Sequence, residues 1–253
     1  MREGKELMDF MFRRNTPAKL NVTEEMMRRY GLPTKYHGLT LDTWLAEGGD
    51  PEVVREIALW AENMIKIRDK GEMVGLILGG PWGTGKTGLA VYLAQAYLAK
   101  TFLESKKGGR VGPWNEEGGY YETPTDFQVR FVDMADLRTM IQSAESFNQR
   151  DHQARWAELN ECGFLIIDDI SAHLFDVDAN GELQGAEGVY LMRLIKNRLM
   201  NKKLTVLTTN MPKAELQIAL GKGGRSVLRE SCYMLGVSKV VIRKDNTTRK
   251  PWD

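Results

Sequence analysis

The stretch that decides the fold is Gly80-Pro81-Trp82-Gly83-Thr84-Gly85-Lys86-Thr87, followed by Gly88. It fits the pattern G-x-x-x-x-G-K-[ST] of a phosphate-binding loop at every fixed position. An apolar run of strand length, residues 73–78, precedes the loop, and residues 88–98 follow it with helical spacing and many Ala and Leu residues. A strand, a glycine-rich loop and a helix in this order predict a nucleotide-binding segment at residues 80–88.

Each residue type in this loop has a chemical reason. Glycines let the backbone curl so that successive N–H groups point at phosphate oxygens, and the helix that begins near Lys86 adds its positive dipole end. Lys86 supplies a positive charge to the outer phosphates, and the hydroxyl of Thr87 is a ligand for Mg²⁺. The alternative is a glycine-rich turn that matches the pattern by accident. The strand and the helix in register with the loop favour ATP and Mg²⁺ as ligands.

Composition and charge limit the possible classes of protein. The 253 residues are enough for one α/β domain with a small appendage, and the net charge of +1 gives no general argument for binding nucleic acid or a membrane. Cys162 and Cys232 are far apart and the three histidines are isolated, so we expect reduced thiols and no zinc site. No apolar run has the length of a membrane span, and the N-terminus lacks the apolar core of a signal peptide. These features predict a cytoplasmic protein without a membrane partner.

Strand and helix patterns alternate along the chain. This alternation predicts a three-layer α/β fold, in which helices cover both faces of a parallel sheet. The predicted strands are residues 73–78, 128–134, 164–169, 204–210 and 239–243, and the predicted helices are residues 51–68, 135–147, 153–159, 187–200, 214–220 and 224–235.

Residues 1–36 precede this main domain, which we assign to residues 37–253. They predict a short helical arm whose second helix spans residues 21–30, with Asn21 as the N-cap and Glu24 three residues later. An arm this small does not fold alone. Two interpretations stay open: its apolar residues pack on the main domain, or it docks a partner protein.

Residues 104–126 interrupt the alternation, because they are rich in Gly and charge and poor in aliphatic residues. They predict a long surface loop. A solvated loop is one interpretation. The other is a contact with single-stranded nucleic acid, because this segment mixes positive charges with aromatic rings at Lys106, Lys107, Arg110, Trp114, Tyr120 and Tyr121.

Polar side chains end two of the predicted strands. Asp168 and Asp169 close one apolar run, and Asn210 closes another. Sites in open parallel sheets form at the carboxyl ends of strands, so we expect these three residues near the phosphate loop. There Asp168 would bind Mg²⁺, Asp169 would orient or deprotonate the attacking water, and Asn210 would hydrogen-bond that water or the γ-phosphate.

The segment that begins at Asp176 also fits a calcium-loop pattern, D-x-[DN]-x-[DN]-G-x₅-E. The matching side chains are Asp176, Asp178, Asn180 and Glu187. A strand precedes the segment where an EF-hand has a helix, which argues against an ordinary EF-hand. A separate Ca²⁺-binding loop and an acidic turn before a helix both stay open.

Four stretches together resemble the AAA+ ATPases of the DnaC/DnaI helicase-loader and IstB group. They are Gly-Pro-Trp-Gly-Thr-Gly-Lys-Thr-Gly-Leu-Ala, Leu-Ile-Ile-Asp-Asp, Leu-Thr-Thr-Asn-Met and the pair Arg225-x-x-x-Arg229. The lead-in at residues 30–44 is similar too. The spacing of the first two motifs to the last two is the specific part of the match.

The resemblance implies roles for individual residues. Asp168 and Asp169 correspond to the Walker B pair, and Asn210 to the residue called sensor 1. Arg229 corresponds to the arginine finger that reaches the ATP of the next subunit, with Arg225 as the alternative. Arg249 corresponds to sensor 2.

The resemblance also implies partners. In such proteins the helices after the second strand contact single-stranded DNA, which here gives weight to Arg138, Phe147, Arg150 and Arg155, and the N-terminal part grips the replicative helicase. The sequence therefore predicts a homo-oligomeric ATPase that loads a helicase. Its turnover would be slow, since Asp169 is shorter than the glutamate that many AAA+ enzymes carry. The alternatives are an IstB-like transposition helper that acts on duplex DNA, a monomeric metabolic kinase, and a degenerate module that binds ATP but barely turns it over.

Overall fold

The computed structural model describes residues 22–107, 128–143, 149–171, 176–177, 183–184 and 186–238. Their centre is a five-stranded sheet with the order β2-β3-β6-β1-β7, in which all neighbours are parallel. A separate antiparallel ribbon joins β4 to β5. The strands are β1 (Gly75–Gly79), β2 (Val129–Asp133), β3 (Phe164–Ile170), β4 (Asp176–Val177), β5 (Leu183–Gln184), β6 (Leu204–Thr209) and β7 (Cys232–Gly236).

Helices connect the strands in sequence. A 3₁₀ turn at Thr34–Tyr36 lies between the first two of them. In the described part of the chain the α-helices are α1 (Glu24–Arg29), α2 (Leu41–Ala46), α3 (Pro51–Lys70), α4 (Lys86–Lys107), α5 (Met134–Ser143), α6 (Gln149–Glu161), α7 (Ala186–Met200), α8 (Lys213–Ala219) and α9 (Gly221–Ser231).

The strand order assigns the helices to the two faces of the sheet. The connection through α4 runs from β1 across β6 and β3 to β2, whereas the later connections run in the opposite direction. Because connections between parallel strands are right-handed, α4 covers one face and α5 to α9 cover the other. Helix α3 packs against α4. The predicted three-layer α/β arrangement with a parallel sheet is confirmed.

The core explains why the two central strands β1 and β6 are buried along their whole length. Every residue of β1 and of β6 is buried, as expected for parallel strands covered on both faces. Helix α4 is buried on most of its circumference in its first half, where Leu89, Leu93 and Tyr97 are fully buried between the sheet and α3. This packing fixes the loop that precedes α4. None of the described helices combines the length and the hydropathy that crossing a membrane requires.

Residues 22–36 lie against the main domain. The side chain of Thr23 caps α1 by accepting a hydrogen bond from the backbone N–H of Met26 at 3.2 Å, so the predicted cap at Asn21 is wrong. Met27 and Leu32 belong to the same apolar core as the sheet. Residues 1–21 lie outside the described part of the chain, and a partner-docking role for the arm stays a prediction.

Two predicted boundaries near the phosphate loop are wrong. Met73 is 41% exposed with φ at 51°, and β1 begins two residues later at Gly75. Helix α4 continues to Lys107, so Lys106 and Lys107 belong to a helix and not to the predicted surface loop. The rest of that segment, residues 108–126, lies outside the described residues.

The last predicted helix is too long. Helix α9 ends at Ser231, and Cys232–Gly236 forms β7 along the edge of β1, from Gly75 opposite Cys232 to Gly79 opposite Gly236. The apolar spacing of this segment fits a helix as well as a strand, and the ladder of hydrogen bonds to β1 decides between them. Residues 239–243, where the sequence predicts the last strand, are not among the described residues.

Candidate nucleotide-binding site

The phosphate loop leaves the carboxyl end of β1 and enters the first turn of α4. Gly83 and Gly85 have φ values of 77° and 88°, in the left-handed region where side chains with a Cβ are strained. A Cβ on Gly85 would also collide with the indole of Trp44. The loop therefore needs glycine at position 85 for its backbone conformation and for its packing.

Lys86 is the first residue of α4 and is only 7% exposed. Its ammonium donates hydrogen bonds to the carbonyl oxygens of Gly80 and Pro81, both at 2.8 Å, and to Oδ1 of Asn210 at 2.6 Å. Burial lowers the pKa of Lys86, and the negative charges of Asp169 and Asp168 oppose that shift. The lysine thus joins the loop to the end of β6.

Asp168 lies opposite the start of α4. The hydroxyl of Thr87 donates to its carboxylate, at 3.0 and 3.1 Å from the two oxygens, and the hydroxyl of Thr208 donates to Oδ1 at 2.6 Å. Burial raises the pKa of Asp168, the hydrogen bonds from Thr208 and Thr87 lower it, and the charges of Asp169 and Asp133 raise it. The carboxylate is therefore buried and held by hydroxyl groups.

Asp169 occupies a bulge in β3. Ile167 pairs with Leu207, whereas Ile170 pairs with Thr209, so two aspartates lie opposite the single residue Thr208. The φ of Asp169 is 61°, in the left-handed region that Asp adopts more readily than most residues. This conformation turns Asp169 to the exposed side of the strand, where its Oδ1 accepts a hydrogen bond from Nδ2 of Asn210 at 2.9 Å.

The tertiary structure thus brings together side chains from distant parts of the sequence. Asn210 accepts from Lys86 through Oδ1 and donates to Asp169 through Nδ2. Thr87 donates to Asp168. The predicted site residues of the loop, of β3 and of the end of β6 lie at one edge of the sheet, as the carboxyl ends of parallel strands require.

The Thr87–Asp168 pair has the donor chemistry and the spacing for Mg²⁺. An octahedral ion with oxygen ligands at 2.0–2.1 Å places neighbouring oxygens about 3 Å apart, and Thr87 Oγ1 lies 3.0 Å from Asp168 Oδ1. Among the described residues no three His, Cys, Asp or Glu side chains cluster as a metal site. One carboxylate and one hydroxyl suit Mg²⁺, which usually keeps water and phosphate oxygens as its other ligands.

The predictions made from the sequence did not include two residues that shape this site. The indole N–H of fully buried Trp44, in α2, donates to the carbonyl of Thr84 at 3.2 Å and thereby supports the loop from behind. Thr208 bonds to Asp168 and also accepts from the backbone N–H of Asp169 at 2.9 Å. No sequence motif marks a buried Trp or a threonine in a strand as part of a site. The only indication in the sequence is that both residues lie in segments that resemble the AAA+ group. Trp82, in contrast, is 72% exposed at the surface of the loop.

The other predicted site residues are not joined to this group by the hydrogen bonds above. Arg225 and Arg229 are both exposed on α9. Arg138 is half-buried on α5 and Arg155 is exposed on α6. Arg249, Phe147 and the side chain of Arg150 lie outside the described residues.

The predicted calcium loop is described only in part. Asp176 pairs with Gln184 across the β4–β5 ribbon, and Glu187 lies in the first turn of α7. Asp178 and Asn180 are not among the described residues. Calcium binding by this loop stays a prediction.

Comparisons with known proteins show that solved structures share this fold. No protein-family model matches the sequence, and no curated protein matches it. The crystal structure of the DnaC helicase loader is similar, with 20% sequence identity and a TM-score of 0.53 over 81% of this chain and 100% of that chain. The crystal structure of DnaI is similar as well, with 16% identity and a TM-score of 0.52 over 82% of this chain and 92% of that chain.

The chain shares the fold of DnaC and DnaI. This is the α/β fold of AAA+-type P-loop domains, which confirms the fold that the sequence motifs predict. At these levels of identity the likeness concerns the fold. The chemistry of the site rests on the residues themselves.

Proposed function

We propose that this protein binds ATP with Mg²⁺, hydrolyses it, and acts as a helicase loader. The observation that carries the proposal is the meeting of Lys86, the Asp168–Asp169 pair and Asn210 at the carboxyl edge of the sheet, beside a phosphate-binding loop. The fold shared with the DnaC helicase loader supports the choice of partner class.

Nucleotide binding follows from the loop and from the start of α4. The N-terminal N–H groups and the dipole of a long helix favour an anion at this position. Lys86 is held within reach of the same place by the carbonyls of Gly80 and Pro81. When ATP binds, the ammonium of Lys86 exchanges its hydrogen bond to Asn210 for one to a phosphate oxygen. This exchange releases the side-chain amide of Asn210.

Thr87 and Asp168 would hold Mg²⁺. The ion supplies charge neutralisation at the β- and γ-phosphates when bound. Asp168 is prepared for this role because two hydroxyl groups fix its carboxylate in a buried position.

Hydrolysis assigns separate roles to Asp169 and Asn210. Asp169 takes a proton from a water molecule whose oxygen attacks the γ-phosphorus, while the bond from that phosphorus to the bridging oxygen breaks and ADP leaves with the electron pair. Asn210 orients the water or the γ-phosphate. Asp169 is a short side chain at an exposed position, so we expect slow turnover.

The site is completed by a neighbouring subunit. Arg229, with Arg225 as the alternative on the same exposed face of α9, would stabilise the charge that develops on the γ-phosphate of the next subunit. Arg249 would contact the nucleotide within its own subunit as sensor 2. The protein therefore works as a homo-oligomer.

The partners in this proposal are a replicative helicase and single-stranded DNA. The helicase would bind the N-terminal residues, and the DNA would contact α5, α6 and the segment between them, through Arg138, Phe147, Arg150 and Arg155. Lys106, Lys107 and the aromatic residues that follow are a second candidate for DNA contact.

The test of the nucleotide site compares Lys86→Ala with Lys66→Ala, which removes an exposed lysine from α3. We expect Lys86→Ala to abolish binding of a fluorescent ATP analogue and Lys66→Ala to bind like the wild type. Equal binding by both variants would refute a site at this loop.

Hydrolysis tests the role of the arginine. We expect Arg229→Ala to bind the analogue normally, and to lose the dependence of the hydrolysis rate on protein concentration that a shared site causes. Loss of binding in Arg229→Ala equal to that in Lys86→Ala would contradict a site completed in trans.

A pull-down from host extract with and without ATP tests the partner. Recovery of a replicative helicase supports the loader function. Recovery of a transposase, together with a preference for duplex over single-stranded DNA, would replace it with the transposition-helper function.

A further inference from the structure

We infer that Thr208 is the positioning residue that holds both aspartates of the site in their working geometry. This inference rests on the proposed ATPase function and adds a residue to it. Thr208 lies near the end of β6, directly opposite the bulge that contains Asp168 and Asp169. Its side chain is 2% exposed, so its hydrogen bond to Asp168 forms away from bulk water.

The hydroxyl of Thr208 makes two hydrogen bonds with opposite roles. It donates to Oδ1 of Asp168 at 2.6 Å and accepts from the backbone N–H of Asp169 at 2.9 Å. A hydroxyl has one proton and two lone pairs, so both bonds are compatible and each fixes the direction of the other. One oxygen atom therefore connects the side chain of the first aspartate to the backbone of the second.

The bulge explains why a hydroxyl is needed at this position. In a regular parallel ladder the N–H of Asp169 would donate to a carbonyl of the neighbouring strand, but the register shifts between Ile167 and Ile170. The Thr208 oxygen replaces that carbonyl, because a buried N–H without an acceptor is costly. With this bond Asp169 keeps the left-handed conformation that directs its carboxylate to Asn210.

The bond to Asp168 adds a second constraint on the orientation of its carboxylate. Thr208 bonds to Oδ1, and Thr87, at the start of α4, bonds to both oxygens. Groups that hydrogen-bond a metal-ligating carboxylate set its orientation, and their loss typically weakens metal affinity or activity by about 10- to 100-fold. Thr208 therefore acts through Asp168 on the metal and through Asp169 on the attacking water.

Thr205 provides a matched control in the same strand. It is equally buried, and its hydroxyl also makes two bonds, accepting from Nε of Arg198 at 3.0 Å and donating to the carbonyl of Lys203 at 3.0 Å. It lies at the opposite end of β6 from the site. Replacing either threonine by valine keeps the shape and removes one buried hydroxyl.

The experiment compares the full-length wild type with Thr208→Val, Thr208→Ser and Thr205→Val. We expect Thr208→Val to raise the Mg²⁺ concentration that gives half-maximal ATP hydrolysis and to lower kcat. The two effects together should amount to about 10- to 100-fold. Binding of a fluorescent ATP analogue without Mg²⁺ should stay unchanged, because the loop and Lys86 are intact. Thr208→Ser should recover both values, whereas Thr205→Val should change only stability.

A second measurement does not depend on activity. Hydrogen exchange of the Asp169 amide should be faster in Thr208→Val than in Thr205→Val, after correction for the global stability of each variant. If Thr208→Val does not fold, Thr208→Ala takes its place. It also lacks the hydroxyl but has a smaller side chain, and we expect the same results from it.

The outcomes separate the two levels of the proposal. In one outcome the wild type hydrolyses ATP, but Thr208→Val matches Thr205→Val in Mg²⁺ dependence, kcat and exchange of the Asp169 amide. This outcome overturns the role of Thr208 and leaves the proposed ATPase function intact. A wild type without Mg²⁺-dependent ATP hydrolysis overturns the proposed function and this inference with it.

Discussion

Replacing Arg198 by methionine should destabilise the protein strongly, although this residue is not among the predicted site residues. Arg198 is on α7 and its side chain is completely buried. Its guanidinium donates to the carbonyl oxygens of Leu159, Asn160, Cys162 and Leu204, and to the hydroxyl of Thr205. It thus ties the end of α6 and the residues before β3 to the start of β6. Burial lowers the pKa of Arg198, and its interactions with Cys162, Tyr97 and Glu161 oppose that shift.

The magnitude follows from two opposing terms. A buried carbonyl that loses its donor costs about 1–3 kcal/mol, so the carbonyls left by Arg198→Met cost about 8 kcal/mol at the middle of that range. Removing a buried charge returns several kcal/mol of desolvation, about 5 kcal/mol here. We therefore expect a net loss of about 3 kcal/mol, a large part of the 5–15 kcal/mol that is typical of a domain.

The assay is urea unfolding followed by circular dichroism, with Arg193→Met as the control. Arg193 lies on the same helix with an exposed side chain, and its replacement should change the free energy of unfolding by less than about 0.5 kcal/mol. The difference between the variants should persist at high salt, because a buried group is little screened. If Arg198→Met unfolds within about 1 kcal/mol of Arg193→Met at equal m-values, the reasoning about orphaned carbonyls is refuted.

Two further predictions concern the lead-in to the loop. Trp44→Phe keeps most of the ring but removes the N–H that bonds to Thr84. Losing the roughly 1 kcal/mol of this hydrogen bond should weaken binding of an ATP analogue about fivefold. A variant that is less stable but binds with unchanged affinity would contradict the supporting role of Trp44. Asp50→Ala removes the N-cap of α3 and should cost about 1 kcal/mol near neutral pH. Hydrogen bonds from Ser238 and from the backbone of Glu52 lower the pKa of Asp50, so its stabilisation is present above the unfolded-state pKa and is lost as the pH falls through the lower folded-state pKa. Urea unfolding should therefore show the difference between wild type and Asp50→Ala shrinking as the pH falls below 3.8, the ordinary pKa of an aspartate, and a constant difference would contradict this assignment.

The elements that the sequence predicted well are those whose cause is local. The phosphate loop between a strand and a helix is recognisable because its glycines, its lysine and its threonine each answer a requirement within a few residues. Helix α3 begins at Pro51, as predicted, because proline suits the first turn of a helix and Asp50 caps it. The parallel sheet follows from the alternation of apolar runs with helical patterns.

The errors occur where partners distant in sequence decide. Cys232–Gly236 has apolar spacing that fits a helix, and it is a strand because β1 offers an open edge beside it. Thr23 rather than Asn21 caps α1, since Met27 and Leu32 must reach the core of the main domain. No window of neighbouring residues contains this information.

By itself the sequence determined the fold class, the loop and the identity of the polar residues that close β3 and β6. Only the tertiary structure decided that Lys86, Asn210 and Asp169 are joined by hydrogen bonds, that Thr208 bridges two aspartates, and that Arg198 is buried among carbonyls. The physical reason is that hydrogen bonds form between atoms about 3 Å apart in space, whatever their separation in the chain. Local preferences set the elements, and the packing of the sheet sets which side chains meet at its edge.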